Sequence, residues 1–168
     1  MLQTERVRFE LLNSEYITDL EKLFCKNILV MKSTFKGRVF TKKEFENLLE
    51  KDFLKKEEDQ FGFRCVVSIF DNKVIGVSGL HKLNYLEKEY HEFGFILNEN
   101  YWGKGLATEI GSFWLEYAKN EIGLTELIAT VSPTNIASKR VLEKLKMEYL
   151  GEFKSKERGD RLVLRKSI

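Results

Sequence analysis

The sequence is poor in proline, cysteine and histidine, with one, two and two residues respectively among 168. With a single proline and no Gly/Ser/Pro-rich stretch, low-complexity segment or internal repeat, there is no interdomain linker to find. Cys25 and Cys65 lie far apart, without the close spacing of a zinc or redox motif. They read as reduced thiols of a cytosolic protein, not as a disulfide framework. His81 and His91 assemble no metal set with their neighbours, so no metal is expected. No apolar run approaches the ~20 residues of a membrane-spanning helix. The opening MLQTERVRFE is charged and lacks the apolar stretch of a signal peptide. Lys and Arg total 28 against 26 Asp and Glu, a net charge of +2, too small to argue for a nucleic-acid or membrane surface. A cytoplasmic protein without either partner is the expectation.

What is present is enough apolar material for a core. Hydrophobic residues make up 43% and charged residues 32%, which suits one folded domain over residues 1–168. Residues 6–12 alternate as a first strand. Ser14 reads as the N-cap of a helix through Leu23. Thr41 and Glu44 form a capping box, which predicts a second helix from Lys42 to about Lys56. Residues 27–40 give no clear periodicity. Strands follow at 63–70 and 74–83, joined by the turn Asp71-Asn72-Lys73, and a further strand at 89–97. Apolar positions Leu106, Ile110, Phe113, Trp114 and Tyr117 recur at helical spacing over 104–119. A strand at 125–131 precedes a helix opened by Pro133 to Asn135, and two late strands cover 149–154 and 161–166. The order β α α β β β α β α β β predicts a mixed, mostly antiparallel sheet of about seven strands flanked by about four helices, an α/β architecture.

Chemistry concentrates at residues 98–109, NENYWGKGLATE. An apolar strand ends there, a helix begins, and Gly103 and Gly105 fall between them. Such a turn aims unpaired backbone N–H groups at a helix N-terminus, a ready site for a diphosphate. A dinucleotide fingerprint needs a third glycine and an early strand, and both are missing. A phosphate loop of the G-x-x-x-x-G-K-[ST] type is absent as well. Glycines that only serve helix entry are the plain structural alternative.

The string Asn100-Tyr101-Trp102-Gly103-Lys104-Gly105-Leu106-Ala107-Thr108-Glu109 resembles the acyl-CoA pyrophosphate loop of the GNAT superfamily of N-acetyltransferases. Asn100 stands where that pattern has Arg or Gln. The flanks, Phe93 to Leu97 before the loop and Leu106 to Glu109 after it, are similar to the ribosomal-protein N-terminal acetyltransferase branch, the RimJ/RimL-like group. A second block from Ser132 to Met147 is also similar to that branch, which has Asn, two residues, Ser and a helix closing on Leu-Gly-Phe. Lys146 and Met147 replace its Gly and Phe.

The resemblance implies acetyl-CoA as cosubstrate and a primary amine as acceptor, either a protein N-terminus or a small-molecule amine. It implies direct transfer without an acyl-enzyme, and it allows a monomer or a homodimer. Main-chain N–H groups of Trp102, Gly103, Lys104, Gly105, Leu106 and Ala107, with Thr108 closing the motif, would cradle the diphosphate. Phe95, Ile96 and Leu97 would offer a splayed strand edge to the pantetheine amides and polarise the thioester carbonyl. Asn135 would contact the pantetheine arm, and capping alone would also justify it. Many GNAT enzymes carry a tyrosine one turn into the last helix that protonates the leaving thiolate. Val141 and Leu142 stand there, and the RimL-like resemblance implies Ser138 as the better candidate acid, although a buried serine often only bonds back to its own helix. The base stays open between Glu92, at the head of the strand leading to the loop, and Glu157, before the last turn. Histidine has a suitable ordinary pKa near 6.5, but His81 and His91 read more readily as surface strand residues. A non-catalytic acyl-CoA-binding module on the same scaffold is the alternative function.

Overall fold

The computed structural model describes residues 2–156 and 158–168. β1 (Val7–Glu10) buries Val7 and Phe9 on alternate positions. The cap that follows is Asn13 rather than Ser14. Its Oδ1 accepts a bond from Glu15 N at 2.9 Å and starts a short 3-10 turn. α1 (Ile17–Glu21) passes into a wide turn at Lys22–Lys26. Asn27 then caps a short helix in the segment the sequence left unassigned, α2 (Ile28–Met31).

α3 (Lys42–Lys51) opens on the expected capping box, Glu44 N donating to Thr41 Oγ1 at 3.3 Å and Thr41 N to Glu44 Oε2 at 2.8 Å. It stops short of the expected Lys56 because the chain finds strand-like partners first. Phe63 N donates to the Asp52 carbonyl at 2.7 Å and Leu54 N to the Phe63 carbonyl at 3.0 Å, which buries Phe53 and Leu54. Tertiary pairing here overrides a helix-compatible sequence.

β2 (Gly62–Ser68), β3 (Val74–Tyr85) and β4 (Lys88–Leu97) form a meander. The β3–β4 turn is Leu86-Glu87, both residues at positive φ (49° and 60°). That is the geometry of a tight two-residue hairpin, here without the Asn or Gly that would announce it. α4 (Leu106–Tyr117), β5 (Glu126–Val131), α5 (Ile136–Lys144), β6 (Glu148–Ser155) and β7 (Gly159–Ser167) complete the chain.

The seven strands make one sheet in the order β1-β2-β3-β4-β5-β7-β6. Every neighbouring pair is antiparallel except β4 and β5. The mixed sheet is as the sequence predicts, and the described residues form five α-helices where about four were expected. One face packs against α4 and α5, with Phe93, Leu97, Ile110, Trp114 and Leu142 at its centre. The other packs against α1 to α3 through Leu20, Phe24, Phe45, Leu48 and Ile96. No helix among the described residues is long and apolar enough to cross a membrane.

Candidate active site

The site lies where the sheet opens. β4 and β5 meet at a single register pair, Glu92 opposite Ile128, and no pair joins them beyond it. The hairpin register alternates the backbone of β4. Glu92, Gly94 and Ile96 turn their N–H and C=O groups toward β3, while Phe93, Phe95 and Leu97 turn theirs toward the β5 side. Two bonds agree with that phase, Asn98 N to the Ile75 carbonyl and Trp102 Nε1 to the Leu97 carbonyl, both at 2.8 Å. Past Glu92, the strand edge therefore offers the backbone N–H and C=O of Phe95 and the N–H of Leu97, the Leu97 carbonyl being taken by Trp102.

The glycine turn sits at the end of that edge. Gly103 and Gly105 both occupy the left-handed region, at φ 72° and 78°, and Gly105 is the N-cap of α4. Trp102 N donates to the Glu99 carbonyl at 3.1 Å, so that donor is taken. The N–H groups from Gly103 through Thr108 have no acceptor among the described residues, and the first helical turn bond runs from Glu109 N to the Gly105 carbonyl. Six successive unpaired donors at the positive end of a helix form an anion cradle. Lys104 does not point into it. Its Nζ donates to the Asn100 carbonyl at 2.8 Å and lies 5.3 Å from the Tyr101 ring centre.

Two cavities flank the opened strands. One, of about 460 Å³, runs along the glycine turn and the start of α5, between Trp102, Gly105, Ala107 and Ile136. The other, of about 510 Å³, lies under α3 and is walled by Leu48, Phe63, His81, Glu92, Arg158 and Arg161. They share Ser33, Thr34, Phe95, Ile96, Asn135 and Ser138, so the two spaces meet at the β4 edge and the head of α5. Asn135 caps α5, its Oδ1 accepting from Ser138 N at 3.1 Å. The Ser138 hydroxyl makes no hydrogen bond within the described residues and lines both cavities.

Glu92 is nearly buried, and its carboxylate is engaged on both oxygens. Arg158 Nη2 lies 3.2 Å from Oε1, Arg158 Nη1 lies 3.3 Å from Oε2, and Thr130 Oγ1 donates to Oε1. His81 stands opposite Glu92 in the β3–β4 register and is not on the surface: its Nε2 is buried without a partner. Burial pushes its pKa down to about 4, with Arg158 adding to the effect against the pull of Glu92, so the ring is neutral at pH 7. His91 stacks on Phe61 at 4.9 Å and lines neither cavity. Glu157 lies outside the described residues. Cys25 and Cys65 line neither cavity, and burial pushes the Cys65 thiol up to about 12.

Several residues that shape this region carry no sequence signal. Arg6, just before β1, bonds the glycine turn from across the fold, its Nη1 donating to the Lys104 carbonyl at 2.8 Å. Trp114 Nε1 donates to Ser78 Oγ, which donates to the Gly94 carbonyl, both at 2.8 Å, tying α4 to the opened strand. Arg158, Thr130 and Arg161 belong to strands or turns whose charged residues look solvated in the sequence. Only the fold gathers them around Glu92.

The family described as Acetyltransferase (GNAT) domain matches residues 6–148. The chain belongs to this GNAT acetyltransferase family. It is 41% identical over 70 residues to the uncharacterized N-acetyltransferase YnaD of Bacillus subtilis (42% of this chain, 41% of that protein). It is 34% identical over 101 residues to the probable N-acetyltransferase YjcK of the same organism (60% of this chain, 52% of that protein). The chain thus spans about half the length of these curated relatives. Among solved structures, a GNAT-family acetyltransferase from Bacillus anthracis superposes with a TM-score of 0.77 at 25% identity, covering 99% of this chain and 97% of that one. RimL, a ribosomal L7/L12 alpha-N-protein acetyltransferase in complex with coenzyme A, gives 0.75 at 14% identity over 98% and 96%, a likeness of fold.

Proposed function

We propose that the protein is an acetyl-CoA-dependent N-acetyltransferase that moves the acetyl group directly to a primary amine, as one domain on the RimJ/RimL-like plan. The observation that carries this reading is the meeting of two cavities at the opened β4 edge, with Asn135 and Ser138 in the wall of both. The cavity along the glycine turn takes the cosubstrate. The fit rests on the six unpaired N–H groups from Gly103 to Thr108, which suit a diphosphate. Backbone groups of Phe95 and Leu97 bind the pantetheine arm as an added strand would, and Asn135 borders its path.

Acetyl-CoA supplies the activated thioester, and the residues of this chain supply position and proton transfer. Phe95 N–H polarises the thioester carbonyl. The amine enters through the cavity under α3. Its nitrogen forms the new C–N bond as the C–S bond breaks. Glu92 receives the amine proton through a water or through Thr130 Oγ1 and returns it to solvent, and Ser138 passes a proton to the leaving thiolate as its hydroxyl regains one from solvent water. His81 is a poor base, since its ring gains a proton only near pH 4. The position of both thiols away from the cavities supports direct transfer without an acyl-cysteine.

Thiol release from acetyl-CoA, assayed against peptides with free Ser, Ala, Met or Asp N-termini, free amino acids, spermidine and aminoglycosides, tests the reading. Thermal melting with acetyl-CoA runs beside it, because a ligand of the folded state raises the Tm. Turnover on one acceptor class supports the enzyme. A melting shift with no turnover across the panel favours the acyl-CoA-binding module, and no shift at all removes the cosubstrate site.

A further inference from the structure

The cavity under α3 has charges that the transfer reaction does not account for. Most are paired within the protein. Glu92 is matched by Arg158 at 3.2 Å, and Glu44 by Lys36 at 3.1 Å and Arg38 at 2.8 Å. Lys82 is matched by Glu89 at 3.0 Å. Arg161, on β7, is different. It is 5% exposed and has no carboxylate within ion-pair distance among the described residues. Its guanidinium donates one bond inside the protein, from Nη2 to the Phe35 carbonyl at 2.8 Å, and its Nε is buried without a partner.

A guanidinium offers five donors and a full charge, and burying it with one neutral acceptor is costly unless an anion completes it. Burial pulls its pKa below the usual arginine value and the nearby Arg158 pulls the same way, while Glu92 opposes them. Glu92 is not that anion: it forms its ion pair with Arg158 and lies beyond ion-pair distance of Arg161. Beside Arg161 in the same wall, His81 is uncharged at neutral pH and contributes no repulsion. Lys51 and Asp52, also in the lining, are exposed, carry opposite charges and form no ion pair with Arg161, so the buried wall carries one uncompensated positive charge, a poor setting for a polycation and a good one for a carboxylate.

Resting on the acetyltransferase reading above, we infer that the acceptor is a small amine that also carries a carboxylate, an amino acid or a close analogue, whose carboxylate completes the charge of Arg161 while its amine reaches the junction of the two cavities. The cavity volume of about 510 Å³ suits a small molecule. Arg161 is then a specificity residue: it sets where the acceptor sits and takes no part in moving protons.

The test pairs each amino acid with its α-carboxamide, alongside spermidine and a peptide with an acidic N-terminal residue, in the presence of acetyl-CoA. Both turnover and the Tm shift produced by the acceptor alone are read. The free carboxylate should be preferred over its amide by about 10²-fold in kcat/KM, mainly through KM. Arg161→Gln should erase that preference, leaving the KM for acetyl-CoA unchanged, and Arg161→Lys should restore part of it. The melting temperature of each variant identifies one that merely fails to fold, and the amide comparison in the unmodified protein stands without any variant. Equal use of acid and amide, preference for spermidine or for the peptide, or neither turnover nor a Tm shift with any carboxylate would overturn the inference. The Tm rise with acetyl-CoA alone reports on the cosubstrate site separately, so failure here is distinct from failure of the acetyltransferase reading.

Discussion

Arg6 and Glu109 sit 103 residues apart and form a two-point clasp under the glycine turn. Arg6 Nε donates to Glu109 Oε2 at 2.6 Å and Arg6 N to Oε1 at 3.1 Å, while the far end of the guanidinium holds the Lys104 carbonyl. Glu109 lies in the first turn of α4, where negative charge is already favoured. Burial pulls its carboxyl upward, but bonds from Thr4 and Arg6 and the charge of Arg6 outweigh it, so its pKa lies below the usual carboxylate value. A depressed carboxylate pKa contributes stability that is full above the unfolded value, about 4.3, and is lost as pH falls through the folded one. Arg6→Ala should destabilise the protein by about 1–2 kcal/mol at pH 7 and raise the KM for acetyl-CoA with little change in kcat. In denaturant titrations the gap between the two proteins should narrow below about pH 4. A gap that stays constant down to pH 3 would mean the clasp does not control this carboxyl.

Gly105 and Gly123 bracket α4 and its last wide turn, and both are left-handed, at φ 78° and 77°. A Cβ at Gly105 would lie 3.6 Å from Arg6 Nη2, an ordinary contact, and a Cβ at Gly123 would meet nothing within 4 Å. Alanine at either place should therefore cost about 1–2 kcal/mol from backbone strain alone. Only Gly105 belongs to the turn proposed to hold the diphosphate. Gly105→Ala should weaken acetyl-CoA binding in calorimetry, whereas Gly123→Ala should leave it unchanged at similar stability. Equal loss of affinity in both would show that the effect is global softening and not the loop.

The elements legible in the sequence are those fixed by local chemistry. The capping box at Thr41 and Glu44, the glycine turn at 103–105 and the cap at Asn135 each declare themselves within a few residues, and each forms as read. What stayed hidden depends on distant partners. The end of α3 is decided by Phe63, and the short helix α2 by a cap at Asn27 inside a segment without periodicity. His81 reads as a surface residue because its strand neighbours Lys82 and Asn84 are polar, yet Phe63 of β2 packs against its ring at 4.3 Å and its Nε2 is buried. The Arg158–Glu92–Thr130 cluster joins three separated segments, and nothing local signals it. β4 is legible as a strand over 89–97 and forms at Lys88–Leu97. The phase that turns Phe95 and Leu97 outward and Ile96 toward β3 follows from the Leu86-Glu87 hairpin, whose residues are atypical for such a turn.

Ser138 is exposed to both cavities, and its hydroxyl is free of the back-bond that helix serines often make. If it gives the proton to the thiolate, Ser138→Ala should lower kcat by about 10²-fold, with acetyl-CoA affinity nearly intact. Ser138→Cys, which keeps a donor of similar size, should recover part of the rate. Unchanged turnover in the alanine variant would remove Ser138 from the proton path and leave solvent as the acid.

Lys146 stands where the RimJ/RimL-like pattern has glycine. The end of α5 is a Schellman arrangement, with Lys146 N donating to the Glu143 carbonyl at 2.9 Å and Met147 N to the Leu142 carbonyl at 3.0 Å. Lys146 supplies the left-handed residue at φ 57° despite its Cβ. The bonds are those a glycine would make, so the geometry is kept and the strain remains. Lys146→Gly should relieve about 1 kcal/mol, partly offset by the greater freedom of glycine in the unfolded chain. The net gain should appear as a rise of about 1–3 °C in Tm, with kcat and both KM values unchanged, because Lys146 lines neither cavity. A fall in Tm would show that the lysine side chain contributes more to the folded state than its backbone conformation costs.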